Sequence, residues 1–353
     1  MPADRSPVAA WGLILAVTAV ASLGFALLAL PSPVLFGALL GGMAHALTSS
    51  RALGVPVLAF RVGQALIGIT IGSMVSLEAL ARMRSDLLPI VMVTLGTLVA
   101  SLAAGWLFAR RRDVSGVTGV FSLIAGGASG VVAVAHELGA DDRVVTVVQY
   151  LRVLLVLVAM PLVTTAVFHP ERGVGTLGQG DAPWPTDLAY VAVALVVGLL
   201  VARFSGVPTA TLLGPLAVAV ALSVGGWFGF DQAAVPLLFQ WLAYLLIGVQ
   251  VGLRFTRASL AAITRMLPVV LALIAGLIGL CAGFGALLTV TTGVDGLTAY
   301  LATTPGGLFA VLATAADSGS DVTYVMAVQI FRLLVILLLT PPLASWLRRA
   351  RRG

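Results

Sequence analysis

The chain has 353 residues, of which 60% are hydrophobic and only 10% are charged, and its formal net charge is +6. A soluble domain carries roughly 25% charged residues, so this composition excludes a water-soluble globule. It also speaks against nucleic acid as a partner, because the arginines lie at the ends of apolar runs, where the positive-inside rule of membrane proteins places them, and form no basic recognition helix.

Twelve apolar segments follow one another along the chain, and their length is typical of membrane helices rather than barrel strands. The first six lie at about 11–30, 33–48, 54–77, 87–109, 117–136 and 144–167. After a polar linker rich in Gly and Pro at 169–187, the last six lie at about 188–203, 207–229, 233–253, 267–290, 297–316 and 323–346. The first segment leads into further spans, which favours an uncleaved first helix over a signal peptide. The pattern predicts an all-α integral membrane protein embedded in the lipid bilayer.

The chain reads as two membrane repeats, 1–168 and 188–353, on either side of the 169–187 linker. At an offset of 180 residues, glycines, acids, amides and arginines of one half fall on the same residue types in the other. The matched pairs are Gly68 with Gly248, Gly116 with Gly296, Gly126-Gly127 with Gly306-Gly307, Glu137 with Asp317, Asp141 with Asp321, Gln149 with Gln329, Arg152 with Arg332, and Pro161 with Pro341. These matches predict an internal duplication, which is common among transporters.

The distribution of arginines predicts the topology. If all twelve segments cross the membrane, ten arginines lie inside and seven outside. If the segments 117–136 and 297–316, which carry the double glycines, enter and return on one side, fourteen lie inside and three outside. The second arrangement fits the positive-inside rule better. It predicts two inverted halves, about ten transmembrane helices plus two Gly-rich re-entrant or broken segments, and both termini in the cytoplasm of a bacterial inner membrane. The alternative is twelve spans, in which the glycines serve close helix packing.

Each half places an acid, an amide and an arginine along one face of a helix. At about 100° per residue, Asp141 and Arg152 point the same way about three turns apart, and Gln149 lies near that direction. The second half repeats the stripe with Asp321, Gln329 and Arg332. A deep arginine normally faces protein or a water-filled cavity. It could neutralise an anionic substrate, or it could cap carbonyl groups freed where the neighbouring segment breaks, and both interpretations stay open.

Further candidates lie at the Gly-rich tips and beside them. Half-helix N-termini next to Gly, Ser and Thr can bind anions, although the hydroxyls could equally bond to the backbone. The candidate substrate ligands at the tips are Gly126, Gly127, Ser129, Thr303, Thr304, Gly306 and Gly307. The candidate ion-coupling residues are the acids Glu137, Asp317, Asp141 and Asp321. For these acids, interfacial solvation or helix N-capping is the simpler alternative.

An enzyme is not favoured by this sequence. The three histidines, His45, His136 and His169, have no helical spacing to one another, and Cys281 is the one cysteine, so no usual metal-ligand pattern exists. The chain has no lysine and therefore no P-loop. We expect no catalytic residue, no cofactor and no metal site.

Two stretches together resemble the bacterial membrane AbrB family, namely GGASGVVAVAHELGADDRVVTVVQYLRVLLVLVAMPLV at 126–163 and TTPGGLFAVLATAADSGSDVTYVMAVQIFRLLVILLLTPPLASWL at 303–347. The resemblance covers essentially the whole length, and it concerns a family unrelated to the soluble DNA-binding proteins of the same name. It implies an inner-membrane, transporter-like protein, although members are also labelled as regulators of gene expression or as ammonia monooxygenases. In the family an acid often follows the second PGG by three or four residues, whereas this chain has Phe309, Ala310 and Val311. A role of that acid in coupling ions or binding substrate is therefore in doubt for this chain.

The sequence and the resemblance together favour a secondary transporter of a small metabolite by alternating access. An anion is favoured as substrate because the deep, repeated charges are cationic. The alternative is a membrane-embedded regulator of gene expression that acts indirectly and without flux. A monooxygenase is the least favoured, since copper or iron needs clustered ligands. A homodimer is compatible with such a fold.

Overall fold

The computed structural model describes residues 6–28, 30–49, 52–75, 81, 86–124, 135, 138–168, 182–205, 209–257, 261 and 264–350. In this part of the chain it contains thirteen α-helices. They are α1 Pro7–Leu27, α2 Pro33–Thr48, α3 Val57–Ser73, α4 Leu87–Ala109, α5 Gly116–Leu123, α6 Asp142–Val163, α7 Trp184–Ser205, α8 Ala210–Gly225, α9 Leu237–Gly252, α10 Leu267–Thr292, α11 Gly296–Thr303, α12 Leu308–Asp317 and α13 Val322–Ala350. A π-helical turn, Thr164–Phe168, continues α6.

Five of the described helices are long and apolar enough to cross a membrane. They are Pro7–Leu27, Leu87–Ala109, Arg143–Phe168, Trp184–Ser205 and Leu267–Thr292. Large apolar side chains on them are exposed, for example Leu27, Leu88 and Val290, as expected of helices whose solvent is lipid. The chain is therefore a multi-pass helical membrane protein.

One boundary of the predicted elements is wrong, and one predicted interruption is present. Helix α7 begins at Trp184, inside the stretch 169–187 that the sequence assigns to a linker. The helix can start there because Pro185 lies in its first turn, where a missing N–H is harmless. The apolar segment 297–316 is not one continuous helix, because α11 ends at Thr303 and α12 begins at Leu308.

The chain divides into two compact units, and each unit draws helices from both halves of the sequence. The first unit contains α1–α3, α7–α9 and α12. In it, α3 packs on α8 and α9 packs on α2. The glycines predicted to correspond, Gly68 and Gly248, stand at these two crossings, where an added Cβ would collide with the carbonyl oxygens of Leu212 and Leu35. Small residues here let the backbones approach closely, as is common in membrane helix pairs.

The second unit contains α4–α6, α10, α11 and most of α13. Two short helices lie against long ones, α5 against α4 and α11 against α10. A glycine permits each approach: an added Cβ on Gly105 would lie 2.8 Å from Cα of Val120, and one on Gly285 would lie 3.1 Å from Cα of Tyr300. These packings place the ends of α5 and α11 inside the unit.

Candidate functional site

The short helices α5 and α11 begin with a side-chain cap and end abruptly. The Ser115 hydroxyl accepts a hydrogen bond from the Thr118 N–H at 3.1 Å, and the Asp295 carboxylate accepts from two N–H groups at the start of α11. Each helix ends at a residue whose backbone leaves the helical region, Ile124 (ψ 123°) and Thr304 (ψ 130°). Such an end leaves carbonyl groups without helical partners, and both ends are buried.

In the first half, Gln149 and Arg152 on α6 supply the missing partners. The Nε2 of Gln149 donates to the carbonyl oxygens of Phe121 at 2.8 Å and Ile124 at 3.0 Å. The Nη1 of Arg152 donates to those of Leu123 at 3.3 Å and Ile124 at 2.7 Å. The arginine is 2% exposed and the glutamine 0%, so the contact lies in the interior of the unit.

In the second half, Gln329 and Arg332 on α13 do the same for α11. Gln329 donates through Nε2 to three carbonyl groups at 2.9–3.2 Å, those of Leu301, Ala302 and Thr304. The Nη1 of Arg332 donates to the carbonyl oxygens of Thr303 at 3.4 Å and Thr304 at 2.9 Å. Both side chains are buried.

The two loci share one backbone geometry. Each glutamine bonds to carbonyl groups 28 and 25 positions before it. Each arginine bonds to carbonyl groups 29 and 28 positions before it. The role of arginine as a cap for freed carbonyls, one of the two interpretations open at the sequence level, is therefore present in both halves. A guanidinium also suits the negative end of a helix dipole.

The two loci differ in how completely their polar atoms are bonded. Arg332 donates through Nη2 to Oε1 of Gln329, which closes the pair on itself. In the first half this bond is absent from the described structure, where Oε1 of Gln149 and Nε of Arg152 are buried and have no hydrogen-bond partner. Both arginines belong to the second unit.

Of the predicted tip residues, those of the second half fall in the described part of the chain. The hydroxyl of Thr303 donates to the carbonyl oxygen of Cys281 at 2.9 Å, and that of Thr304 donates within its own helix. Gly306 and Gly307 lie in the interruption between α11 and α12, and an added Cβ on Gly307 would lie 3.4 Å from Cγ1 of Val153. The interruption therefore lies beside α6, at Val153. Gly126, Gly127 and Ser129 lie outside the described residues.

The predicted ion-coupling acids have different surroundings. Asp141 is exposed and caps α6, since its Oδ1 accepts from the N–H groups of Arg143 and Val144 at 3.0 and 3.3 Å. Its own N–H donates to the hydroxyl of Thr118 at 3.0 Å, which brings the start of α6 to the start of α5. Asp321 immediately precedes α13. Glu137 lies outside the described residues.

Asp317, the last residue of α12, has polar partners from two other helices of the first unit. Its Oδ2 accepts from the hydroxyl of Ser32 at 2.6 Å and its Oδ1 from the hydroxyl of Tyr244 at 3.3 Å. Reasoning from the sequence missed both partners. The sequence offers one signal here, the prolines on both sides of Ser32, Pro31 and Pro33.

Similarity to known proteins identifies the family. A family model described as "Transition state regulatory protein AbrB" matches residues 34–348. The chain belongs to the AbrB family. An AbrB family relative from Escherichia coli (strain K12), "Putative regulator AbrB", is 33% identical over 345 residues, 97% of each chain. "Uncharacterized protein YhjN" from Bacillus subtilis (strain 168) is 25% identical over 293 residues, 80% of this chain and 76% of the relative. The resemblance found in the sequence is confirmed.

Among solved structures, this AbrB family chain is similar to the sodium proton antiporter MjNhaP1 from Methanocaldococcus jannaschii. The overlap covers 96% of this chain and 98% of that one, with 14% sequence identity and a TM-score of 0.46.

Within the described residues, no group of three His, Cys, Asp or Glu side chains could hold a metal ion.

Proposed function

We propose that this AbrB family protein is a secondary transporter that moves a small anionic metabolite by alternating access. One observation carries the proposal. Two arginines, Arg152 and Arg332, are buried in the same unit, and in the described part of that unit their hydrogen-bond partners are neutral carbonyl and amide oxygens. A buried cation without a counter-charge is unfavourable, and the helix ends they cap offset it in part. An anion near both guanidinium groups would offset the rest.

The first-half locus is the better candidate for contact with substrate. Arg332 donates through Nη1 to carbonyl groups and through Nη2 to the Oε1 of Gln329. By contrast, Arg152 keeps Nε free and Gln149 keeps Oε1 free in the described structure. Charge-assisted hydrogen bonds from arginine to a carboxylate or phosphate are the strong ones. We therefore assign substrate contact to Arg152 and Gln149, and support of the site to Arg332 and Gln329.

We further propose that the Gly-rich segments are re-entrant, with about ten transmembrane helices in two inverted halves. Support comes from the hydrogen bond between the N–H of Asp141 and the hydroxyl of Thr118. Helix α5 rises by about 12 Å over its eight residues, and the chain is back beside the first turn of α5 when α6 begins. The two compact units would provide the two bodies that alternating access requires. The expected setting is the bacterial inner membrane, with both termini in the cytoplasm.

The topology can be tested with single cysteines in a Cys281→Ala background. Gly116 and Arg143 are both exposed, at the starts of α5 and α6, so Gly116→Cys and Arg143→Cys are suitable sites. A membrane-impermeant maleimide added to oriented vesicles should label both from the same side. Labelling from opposite sides would favour twelve spans.

The transport function can be tested with the full chain in liposomes. We expect vesicles preloaded with small mono- and dicarboxylates to take up labelled anion by counterflow, and Arg152→Ala to abolish it. Arg254→Ala, a substitution of an arginine just beyond the end of α9, is the matched control. Folded protein that exchanges none of the anions, or an Arg152→Ala variant with full exchange, would contradict the proposal.

The second candidate is a membrane-embedded regulator without flux, favoured by the word "regulator" in the name of the Escherichia coli relative. It would act indirectly, through a partner at the membrane surface. Specific capture of one cytoplasmic protein by the intact chain, combined with no exchange of anions in liposomes, would support this candidate over transport.

A further inference from the structure

A carboxylate in the first unit is surrounded by neutral hydrogen-bond donors. The side chain of Asp317 accepts from the hydroxyls of Ser32 and Tyr244. Ser32 is 0% exposed and Tyr244 is 5% exposed. Three helices thus meet at one carboxylate: the start of α2, the middle of α9 and the end of α12.

The backbone of Ser32 has an unusual conformation at this meeting point. Ser32 has a φ of 50°, in the left-handed region that non-glycine residues seldom adopt. It stands directly before α2, whose first residue is Pro33. Residues held in such conformations cost roughly 1–3 kcal/mol and persist where the surrounding structure demands them. Here the conformation accompanies the hydroxyl of Ser32, which donates a hydrogen bond to Asp317.

The charges around Asp317 are few. Helix α9 contributes Tyr244, and Ser32, directly before α2, does not titrate. The titratable residue of α2, His45, lies in its last turn, at the end away from Ser32, and α12 has no other titratable residue. Asp321 follows four residues later and has an interaction of its own. In the described part of the chain, no arginine or histidine forms an ion pair or hydrogen bond with Asp317. Among the described residues, the partners of the carboxylate are therefore hydroxyls, and none is a counter-ion.

We propose that Asp317 is the site of a coupling proton, and that binding and release of this proton change how α12 is tied to α2 and α9. A proton from water forms an O–H bond with a carboxylate oxygen and removes the negative charge. Its release to water on the other side restores the charge. A half-buried carboxylate whose described partners are neutral hydroxyls is the kind of group for which this exchange is favourable.

The consequence for α12 follows from the donor and acceptor roles. The ionised carboxylate only accepts hydrogen bonds, so both hydroxyls point towards it. The protonated carboxyl must place one donor of its own, and one of the hydroxyls must turn away or become the acceptor. Helix α12 begins directly after the interruption that holds Gly306 and Gly307. A change in the hydrogen bonds of Asp317, at the other end of α12, would therefore act on the segment of Gly306 and Gly307, which contacts α6.

A proton is favoured over a metal cation at this position. In the described structure the side-chain oxygens of three residues converge. The hydroxyls of Ser32 and Tyr244 donate to the carboxylate of Asp317. Hard metal ions such as Ca²⁺ and Mg²⁺ require about six oxygen ligands whose lone pairs face the ion. Two hydroxyls that donate to the carboxylate satisfy the charge without leaving such a cavity.

Proton binding can be tested without any transported substrate. The full chain in lipid is followed by infrared difference spectroscopy between about pH 5 and pH 9, with Asp317→Asn and Asp231→Asn compared with the parent chain. Asp231 lies exposed in a loop of the same unit and is the matched control. We expect a protonated-carboxyl band that titrates in the parent and in Asp231→Asn and is lost in Asp317→Asn. A band that persists in a folded Asp317→Asn variant would overturn the proposal.

If Asp317→Asn does not fold, Ser32→Ala and Tyr244→Phe provide a second test. Each removes one donor to the ionised carboxylate, so the midpoint of the same band should move to higher pH. Unchanged midpoints in both variants would overturn the proposal as firmly as a persistent band.

The coupling step rests on the proposed transport function, whereas proton binding does not. In liposomes, an imposed pH gradient should drive accumulation of labelled anion by the parent chain. Asp317→Asn should keep counterflow and lose the response to the gradient. Gradient-driven accumulation by Asp317→Asn would contradict the coupling. A titrating Asp317 in a chain that moves no anion would leave the proton site intact and remove the transport function.

Discussion

The loci around Arg152 and Arg332 have the same backbone design and different completeness. Both arginines cap the last carbonyls of an eight-residue helix, and both have a glutamine three positions before them. The second locus is closed, because Gln329 accepts from Arg332. The first is open, because Nε of Arg152 and Oε1 of Gln149 have no partner in the described structure. The same spacing of glutamine and arginine can thus give one locus whose polar atoms bond to each other and one that keeps buried polar atoms unpaired in the described structure.

The largest expected effect is on anion affinity at the open locus. Arg152→Ala should weaken anion binding by about 100-fold, since losing one partner of a buried charged contact costs about 2–5 kcal/mol and each 1.4 kcal/mol is tenfold. Arg152→Lys should recover only part of this, because lysine lacks the planar fork. Substrate-dependent quenching of tryptophan fluorescence measures the affinity. An equal loss in Arg332→Ala with unchanged stability would remove the distinction between the loci.

The next effect is on the stability of the closed locus. Arg332→Ala leaves the carbonyl group of Thr303 and the Oε1 of Gln329 without the donor that Arg332 supplies, while the carbonyl group of Thr304 keeps its bond from Gln329. Since each unsatisfied buried group costs about 1–3 kcal/mol, the free energy of unfolding should fall by about 2–4 kcal/mol. Thermal unfolding in detergent gives the order of the two variants, and Arg332→Ala should unfold at a lower temperature than Arg152→Ala. The reverse order would mean that the open locus is the structural one.

A smaller effect distinguishes the glycines behind the two short helices. Gly105→Ala should lower the free energy of unfolding by about 1–3 kcal/mol, because its Cβ would press on backbone atoms of α5. Gly285→Ala should lower it less, since its tightest contact is the hydroxyl of Thr303 at 3.0 Å, a side chain that can yield. Gly276→Ala meets nothing within 4 Å and is the control. Equal losses at Gly105 and Gly285 would show that both contacts are rigid.

The smallest effect is expected at an arginine outside the membrane interior. Arg111 bonds to Asp113 at 3.0 Å beyond the end of α4, and this contact holds the pKa of the Asp113 carboxyl below its ordinary value. A carboxyl pKa that is lowered by folding stabilises the fold at pH values above the ordinary carboxyl pKa. This stabilisation is lost as the pH falls through the lowered pKa. Because the pair is solvent-exposed, Arg111→Ala should leave the unfolding temperature at neutral pH unchanged. A clear loss would mean that exposed arginines matter here as much as buried ones.

Much of the fold could be predicted because hydropathy marks membrane helices directly. The predicted segments 33–48 and 87–109 coincide with α2 and α4. The double glycine at 306–307 and the motif ending in Arg332 indicated a break and a nearby cap, and both are present. The start of α7 at Trp184 was missed, because a Pro-rich approach looks like a linker until the helix that follows it is known.

The parts that could not be predicted depend on side-chain partners far apart in the chain. Tyr244 and Asp317 are 73 positions apart, and Ser32 and Asp317 are 285 apart. No local periodicity connects such residues, since their meeting depends on how three helices pack. The same holds for the difference between Gln149 and Gln329, which share a spacing to arginine and differ in whether that arginine donates to the amide oxygen.

The sequence by itself determined a helical membrane protein of the AbrB family, with interrupted segments and buried arginines at matched positions. It could do so because apolar length, glycine pairs and a fixed offset are visible in the order of the residues alone. Tertiary structure alone decided which carbonyl groups each arginine caps, which locus keeps unpaired atoms, and which hydroxyls surround Asp317. These outcomes depend on distances of about 3 Å between separate helices, because a hydrogen bond is lost within a fraction of an ångström beyond that range.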